Sequence, residues 1–233
     1  MGDRIEVSYF SDVLCVWAFV AQIRLDELQR HYGDTIVVHY HFLPIFADTR
    51  HRIGSGWKRR GGFEGYAKHV AGVADGFDHV DVADDVWSTV RPTSSAPSHQ
   101  FLKALQVLET EDVVSRDRRD EYEGRTLFEQ TAWTLRRAFF EDGRDISSRG
   151  CLGEVTESLD LPVEAMREVI NSGRALAGIF RDAELRDEHR IEGSPTYLLS
   201  HGRQKLYGNV GYKVIEANVE EILRRPGHAA SWC

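Results

Sequence analysis

The chain has 233 residues, which at about 150 residues per domain makes one domain, or one domain carrying a large insertion, with length enough for a core without disulfide staples. Its 29 Lys and Arg stand against 37 Asp and Glu, a formal charge of −8, which excludes a general nucleic-acid binder. No apolar run reaches the ~18 residues of a membrane-spanning helix, and 20 Gly and 6 Pro scattered without period exclude collagen-like or low-complexity sequence. The three cysteines, Cys15, Cys151 and Cys233, match neither a disulfide framework nor a zinc-binding spacing, so no metal is expected. The opening MGDRIEVSYF goes directly into strand-like alternation without a signal peptide's apolar region. The expectation is a cytoplasmic protein with reduced thiols and no membrane partner.

In chain order, Arg4 to Phe10 reads as a strand, with Ile5, Val7 and Tyr9 alternating with polar neighbours. Ser11 and Asp12 punctuate it. A helix is predicted over Cys15 to Arg30, with Trp17, Ala21, Leu25 and Leu28 on one face and Gly33 as its stop. Thr35 to Leu43 is apolar or aromatic on both faces, which predicts a central strand of a covered sheet, parallel to the first through a crossover. Pro44 to Gly62 reads as a Gly-, Arg- and His-rich loop, and Phe63 to Arg190 as mostly helical. Helices are predicted over Ser98 to Glu109 with Ser98 as N-cap, Asp120 to Phe140, Ser147 to Leu159, Pro162 to Ile170 and Ser172 to Glu188. Strands return at Thr196 to Leu199 and Gln204 to Tyr207 around a His201-Gly202 turn, and Tyr212 to Arg225 closes as a helix. The order β-α-β, helical block, β-β-α predicts an α/β fold: one four-stranded sheet made by the outer segments, 1–45 and 190–225, with 46–189 as a large all-helical insertion and 226–233 as a tail.

Cys15 falls at the first turn of a helix. Unpaired N–H groups and the partial positive charge there favour a thiolate, predicting a pKa below the free value of about 8.5. The thiolate is the form that attacks disulfides and activated electrophiles. The same position also suits a small buried apolar residue. Gly193-Ser194-Pro195-Thr196-Tyr197 places a proline at a strand's first position, where no ladder N–H is needed and a cis bond is tolerated.

The order of elements, the run Ser11-Asp12-Val13-Leu14-Cys15-Val16-Trp17-Ala18 and the run Gly193-Ser194-Pro195-Thr196-Tyr197 resemble the thioredoxin-fold proteins of the DsbA superfamily. The chain is most similar to the cytoplasmic branch of FrnE-like oxidoreductases, 2-hydroxychromene-2-carboxylate isomerases and kappa-class glutathione transferases. The segment 137–147 resembles part of that branch's helical domain. The resemblance covers nearly the whole chain and implies a thioredoxin-like sheet. It gives Cys15 as the attacking cysteine and Pro195 as the cis-proline, both catalytic. Ser194 becomes the residue whose backbone pairs with a bound peptide or glutathione. Position 18, where the oxidoreductases carry a second cysteine, is Ala18, so no disulfide closes within the motif. Isomerases and transferases of the branch carry serine where this chain has Cys15. The implied activity is a monothiol (C-x-x-A) thiol-disulfide oxidoreductase with glutathione as co-substrate and no tightly bound cofactor. The alternatives are a glutathione-dependent isomerase or transferase acting on a small aromatic compound, and a non-catalytic peptide-binding protein. A homodimer is the default for such an enzyme.

Other candidates are read from the residues. Asp12 caps the first helix or sits near the thiol, where its charge would raise the thiol's pKa. Trp17 packs into the sheet or walls a groove. Ala18 and His99 join the substrate-binding set, His99 from the helical block. Arg50, Arg52, Lys58, Arg59 and Arg60 crowd one loop, either to hold a carboxylate or simply to be solvated. His39 and His41 share a strand face but lack a third metal ligand. Cys151 reads as a packed core thiol. Cys233 is a candidate resolving thiol, since eight residues from Pro226 reach at most about 26–29 Å; a frayed tail is the plain alternative.

Overall fold

The computed structural model describes residues 4–224. Four strands, β1 (Ile5–Ser11), β2 (Ile36–Phe42), β3 (Thr196–Leu199) and β4 (Gln204–Tyr207), form one sheet in the order β2-β1-β3-β4. β1 and β2 run parallel, with Val7 beside Val38, and β3 is antiparallel to both β1 and β4. The two outer segments of sequence therefore meet in one sheet, as the alternation predicts. One placement is corrected: β2 is an edge strand, not a central one. Its apolar outer face is explained by cover from the insertion. Gln106 donates to the Tyr40 carbonyl (3.0 Å) and Asp182 accepts from the Phe42 N–H (2.7 Å), so part of the open edge is blunted by side chains.

The helix predicted over 15–30 is two helices, α1 (Val16–Val20) and α2 (Gln22–Tyr32), which change direction at Ala21. Gly33 ends α2 with φ 49°, a conformation that suits glycine. Between β2 and β3 lie α3 (Gly62–Ala74), α4 (Ala96–Thr110), α5 (Leu127–Phe140), α6 (Arg149–Ser158), α7 (Val163–Asn171) and α8 (Arg174–Glu188); α9 (Tyr212–Leu223) follows β4. The Arg-rich loop coils into a π turn at Arg50–Ser55 and a short 3-10 turn at Lys58–Arg60. α4 starts two residues before Ser98, whose hydroxyl instead donates to the Ile146 carbonyl (2.7 Å). α5 starts at a capping box in which Thr126 and Glu129 satisfy each other's backbone N–H, so the helix is shorter than the predicted 120–140.

The core is divided. Ile5, Val7 and Tyr9 of β1 face α2 and α9, with Leu25, Leu28, Ile215 and Val219. Phe10, on the opposite face, packs with Leu43, Ile191 and Leu198. The largest cluster joins the insertion to the whole run Val13–Val16 and to Ala18, Phe19 and Val20. α1 is thus sewn into the insertion's core. Among the described residues no helix is long and apolar enough to cross a membrane.

Candidate functional site

Cys15 is the N-cap residue of α1, in extended geometry, and its carbonyl accepts the N–H groups of Ala18 and Phe19 (both 3.0 Å). Its own N–H closes a turn onto the Asp12 carbonyl (3.1 Å). The strand-to-helix connection therefore lifts the sulfur off the end of β1 toward the turn that precedes β3. There the Ser194–Pro195 peptide is cis, and the Cys15 thiol donates to the Ser194 carbonyl at 3.3 Å. Two segments 179 residues apart converge on one sulfur. The turn is held from both sides: Gly208 N–H donates to the Pro195 carbonyl (2.9 Å), and the Thr196 hydroxyl to the Gly193 carbonyl (2.7 Å). A Cβ on Gly193 would lie 2.8 Å from the Tyr207 hydroxyl, so a larger residue there would displace that exposed side chain.

The thiol is not acidified. Cys15 is 7 % exposed, and burial pushes its pKa up. The Ser194 side chain and the N–H groups of Ala18 and Trp17 pull it down, while the Asp12 carboxylate pushes it further up. The helix-terminus effect expected from sequence is present but is outweighed by desolvation, since a thiolate taken out of water loses more than two N–H groups return.

Asp12 has no exposed surface. Its Oδ1 accepts the Leu14 N–H (2.9 Å), its Oδ2 accepts the Phe46 N–H (2.9 Å) and the Ser95 hydroxyl (2.8 Å), and its own N–H donates to Ser194 Oγ (3.0 Å). It is the knot that ties the Cys15 loop, the Pro195 turn, the end of the β2 loop and the start of α4. His99 is equally buried. Its Nε2 accepts the Val13 N–H (3.2 Å), and its ring stacks on Phe42 (5.0 Å between centroids). Both residues stand behind the sulfur, and neither offers a surface to a substrate. Ala18 is likewise fully covered. Trp17 is half-buried and packs edge-on against Phe77 of the insertion (6.5 Å), not into the sheet.

The site contains residues that the sequence reading missed. Ser95 and Phe46 reach Asp12 from across the fold. Tyr66 on α3 feels the charge of both Cys15 and Arg52, and its ring packs against Phe46 and Trp87. These contacts are long-range, and only the capping geometry near position 95 had any local signature. Of the Arg-rich loop all five basic residues are exposed; Arg52 lies 6.0 Å over the Phe46 ring and Arg60 4.9 Å over Trp57. His39 pairs with Glu6 and His41 with Asp182 (2.9 Å). Among the described residues no group of three or more His, Cys, Asp or Glu could hold a metal ion. Cys151 is a buried core thiol on α6. Cys233 lies outside the described residues. Cavities of about 550, 460 and 450 Å³ open elsewhere, the first between α2 and α5, the other two along β2 and α4.

Comparison with known proteins adds three findings. The family described as DSBA-like thioredoxin domain matches residues 6–220. No curated protein sequence matches the chain. Among solved structures, a cytosolic disulfide reductase, DsbM from Pseudomonas aeruginosa, superposes with a TM-score of 0.67 at 21 % identity, covering 94 % of this chain and 99 % of that one. The same protein solved with GSH gives 0.66 at 22 % identity, with the same coverage. A 2-hydroxychromene-2-carboxylate isomerase gives 0.58 at 14 % identity over 97 % of this chain and 100 % of that one. At these identities the likeness is one of fold.

Proposed function

We propose that this chain, which belongs to the DSBA-like thioredoxin domain family, is a cytoplasmic monothiol thiol-disulfide oxidoreductase that uses glutathione. The observation that carries the reading is the 3.3 Å contact between the Cys15 thiol and the Ser194 carbonyl, at the junction of the β1–α1 connection and the Pro195 turn. The glutathione-bound reductase of the same fold supports the choice of co-substrate, and its cytosolic origin supports the compartment.

The chemistry follows from the residues present. Cys15 as thiolate attacks the sulfur–sulfur bond of a glutathionylated thiol, R–S–S–G. A Cys15–glutathione disulfide forms, and R–S⁻ leaves with the proton that Cys15 gave up. With Ala18 in place of a second thiol, no internal attack follows. A second glutathione then attacks the glutathione sulfur, yielding oxidised glutathione and the Cys15 thiol. The raised thiol pKa makes Cys15 a strong nucleophile once deprotonated and a slow leaving group. The mixed disulfide, once formed, is therefore slow to release Cys15. The backbone of Ser194, beside the sulfur, is suited to pair with the extended backbone of glutathione once the thiol releases its carbonyl.

Mass spectrometry of the chain incubated with oxidised glutathione tests this. The expected result is one glutathione adduct on Cys15 that Cys15→Ser abolishes. Turnover that survives Cys15→Ser would instead support a glutathione-dependent isomerase or transferase.

A further inference from the structure

Three tyrosines stand in register across the sheet, Tyr40 on β2, Tyr9 on β1 and Tyr197 on β3. Their rings touch in sequence, at 6.0 Å and 5.0 Å between centroids. The Tyr40 hydroxyl donates to Glu129 (2.9 Å). The hydroxyls of Tyr9 and Tyr197 are buried and meet no acceptor among the described residues. Neither do two guanidinium nitrogens, Arg136 Nε and Arg24 Nη1. Tyr9 is 0 %, Tyr197 1 % and Arg136 2 % exposed, so bulk water does not satisfy them. Arg136 reaches Ser11, two residues along β1 from Tyr9 and on the same face, and Gln22 of α2, which places its guanidinium between the sheet, the start of α2 and α5, where both phenols also feel its charge.

The charge there is as unbalanced as the hydrogen bonding. Arg136 donates its other nitrogens to Gln22 Oε1 (3.0 Å) and Ser11 Oγ (2.9 Å), both neutral. The carboxylate near them, Asp26, is committed to Arg125 (2.5 and 3.2 Å) and to the Gln22 amide (2.9 Å). Neither Arg24 nor Arg136 has a carboxylate within salt-bridge distance among the described residues. Buried cations are ordinarily paired, and buried donors ordinarily have acceptors.

We propose that Tyr9, Tyr197 and Arg136 form a buried binding site for a small monovalent anion of the halide class. All three carry N–H or O–H donors without an acceptor among the described residues, and burial keeps both phenols protonated. A halide accepts from all of them, needs no donor in return and supplies the missing negative charge. Water would complete the hydrogen bonds and leave the buried Arg136 guanidinium uncompensated. The site abuts Ser11, the residue before the Asp12 knot, and is independent of the redox reading.

Thermal unfolding of the full chain, titrated with sodium bromide against gluconate at constant ionic strength, tests the proposal. The expected result is a saturable rise in Tm of about 5 °C. Tyr9→Phe, or Tyr197→Phe should that variant not fold, raises the half-saturating bromide about tenfold. Crystals grown in bromide show an anomalous peak about 3.3 Å from Tyr9 Oη, Tyr197 Oη and Arg136 Nε. A Tm indifferent to bromide, a response identical in wild type and variant, or the absence of an anomalous peak at these atoms would overturn it.

Discussion

Two buried aspartates fasten the helical insertion to the ends of two neighbouring parallel strands, and they do it differently. Asp182 on α8 grips the end of β2 through the Phe42 N–H, and its charge is met by the Lys103 ammonium (2.7 Å) and by His41. Asp12, at the end of β1, is met by two backbone N–H groups and the Ser95 hydroxyl, with the His99 ring nitrogen 3.6 Å away and no ammonium or guanidinium in contact. Both anchors satisfy their hydrogen bonds; only Asp182 is paired with an ammonium. Asp12 is three residues from Cys15 and adds to the rise in its pKa. An ammonium partner holds the anchor far from the sulfur, whereas the anchor beside the sulfur is held by N–H and O–H donors and keeps its field on the thiol.

The largest expected effect tests the paired anchor. Asp182→Ala strands the Lys103 ammonium, which burial already holds below its usual pKa, and should cost about 3–5 kcal/mol in urea unfolding. A cost under about 1 kcal/mol would end the view of Asp182 as a charge-paired anchor. Asp12→Asn sharpens the contrast. It should cost about 2 kcal/mol, from imperfectly matched donors, and lower the midpoint of Cys15 alkylation against pH. Asp182→Asn should leave that midpoint where it is; equal shifts in both variants would erase the distinction.

A half-buried carboxyl on α4 extends the series. Glu109 Oε1 has no partner among the described residues, and burial raises this group to about 7. Its folded pKa lies above its ordinary value, so its contribution is intact at acid pH and is lost as pH climbs from about 4.5 through 7. Glu109→Gln should flatten that fall and make the chain about 1–2 kcal/mol more stable at pH 8, after discounting for partial solvent screening.

Much of this was legible in the residues. The two short strands at 196–199 and 204–207 follow from their β-formers and the turn between them, and Cys15 and Pro195 are found from position and resemblance. The break at Ala21 was not legible, because alanine favours helix and nothing local in the residues marks a stop there. The segment 75–95, read as mostly helical, is turns and an isolated bridge between Val86 and Val90. Thr126 and Glu129 carry a start signal for α5, but the amphipathic pattern runs on upstream of it and masks the boundary. The acidic thiol failed for a different reason. Helix position is local, whereas the desolvation that defeats it comes from Phe46, Tyr66 and their neighbours, tens of residues away.

Because Asp12 ties the Cys15 loop to the Pro195 turn and to the insertion at once, the nucleophile and the carbonyl that accepts its hydrogen bond are braced against each other. The thiol thus occupies the acceptor that an incoming backbone N–H would use. Releasing the sulfur for attack and baring that carbonyl for docking are therefore one event, not two.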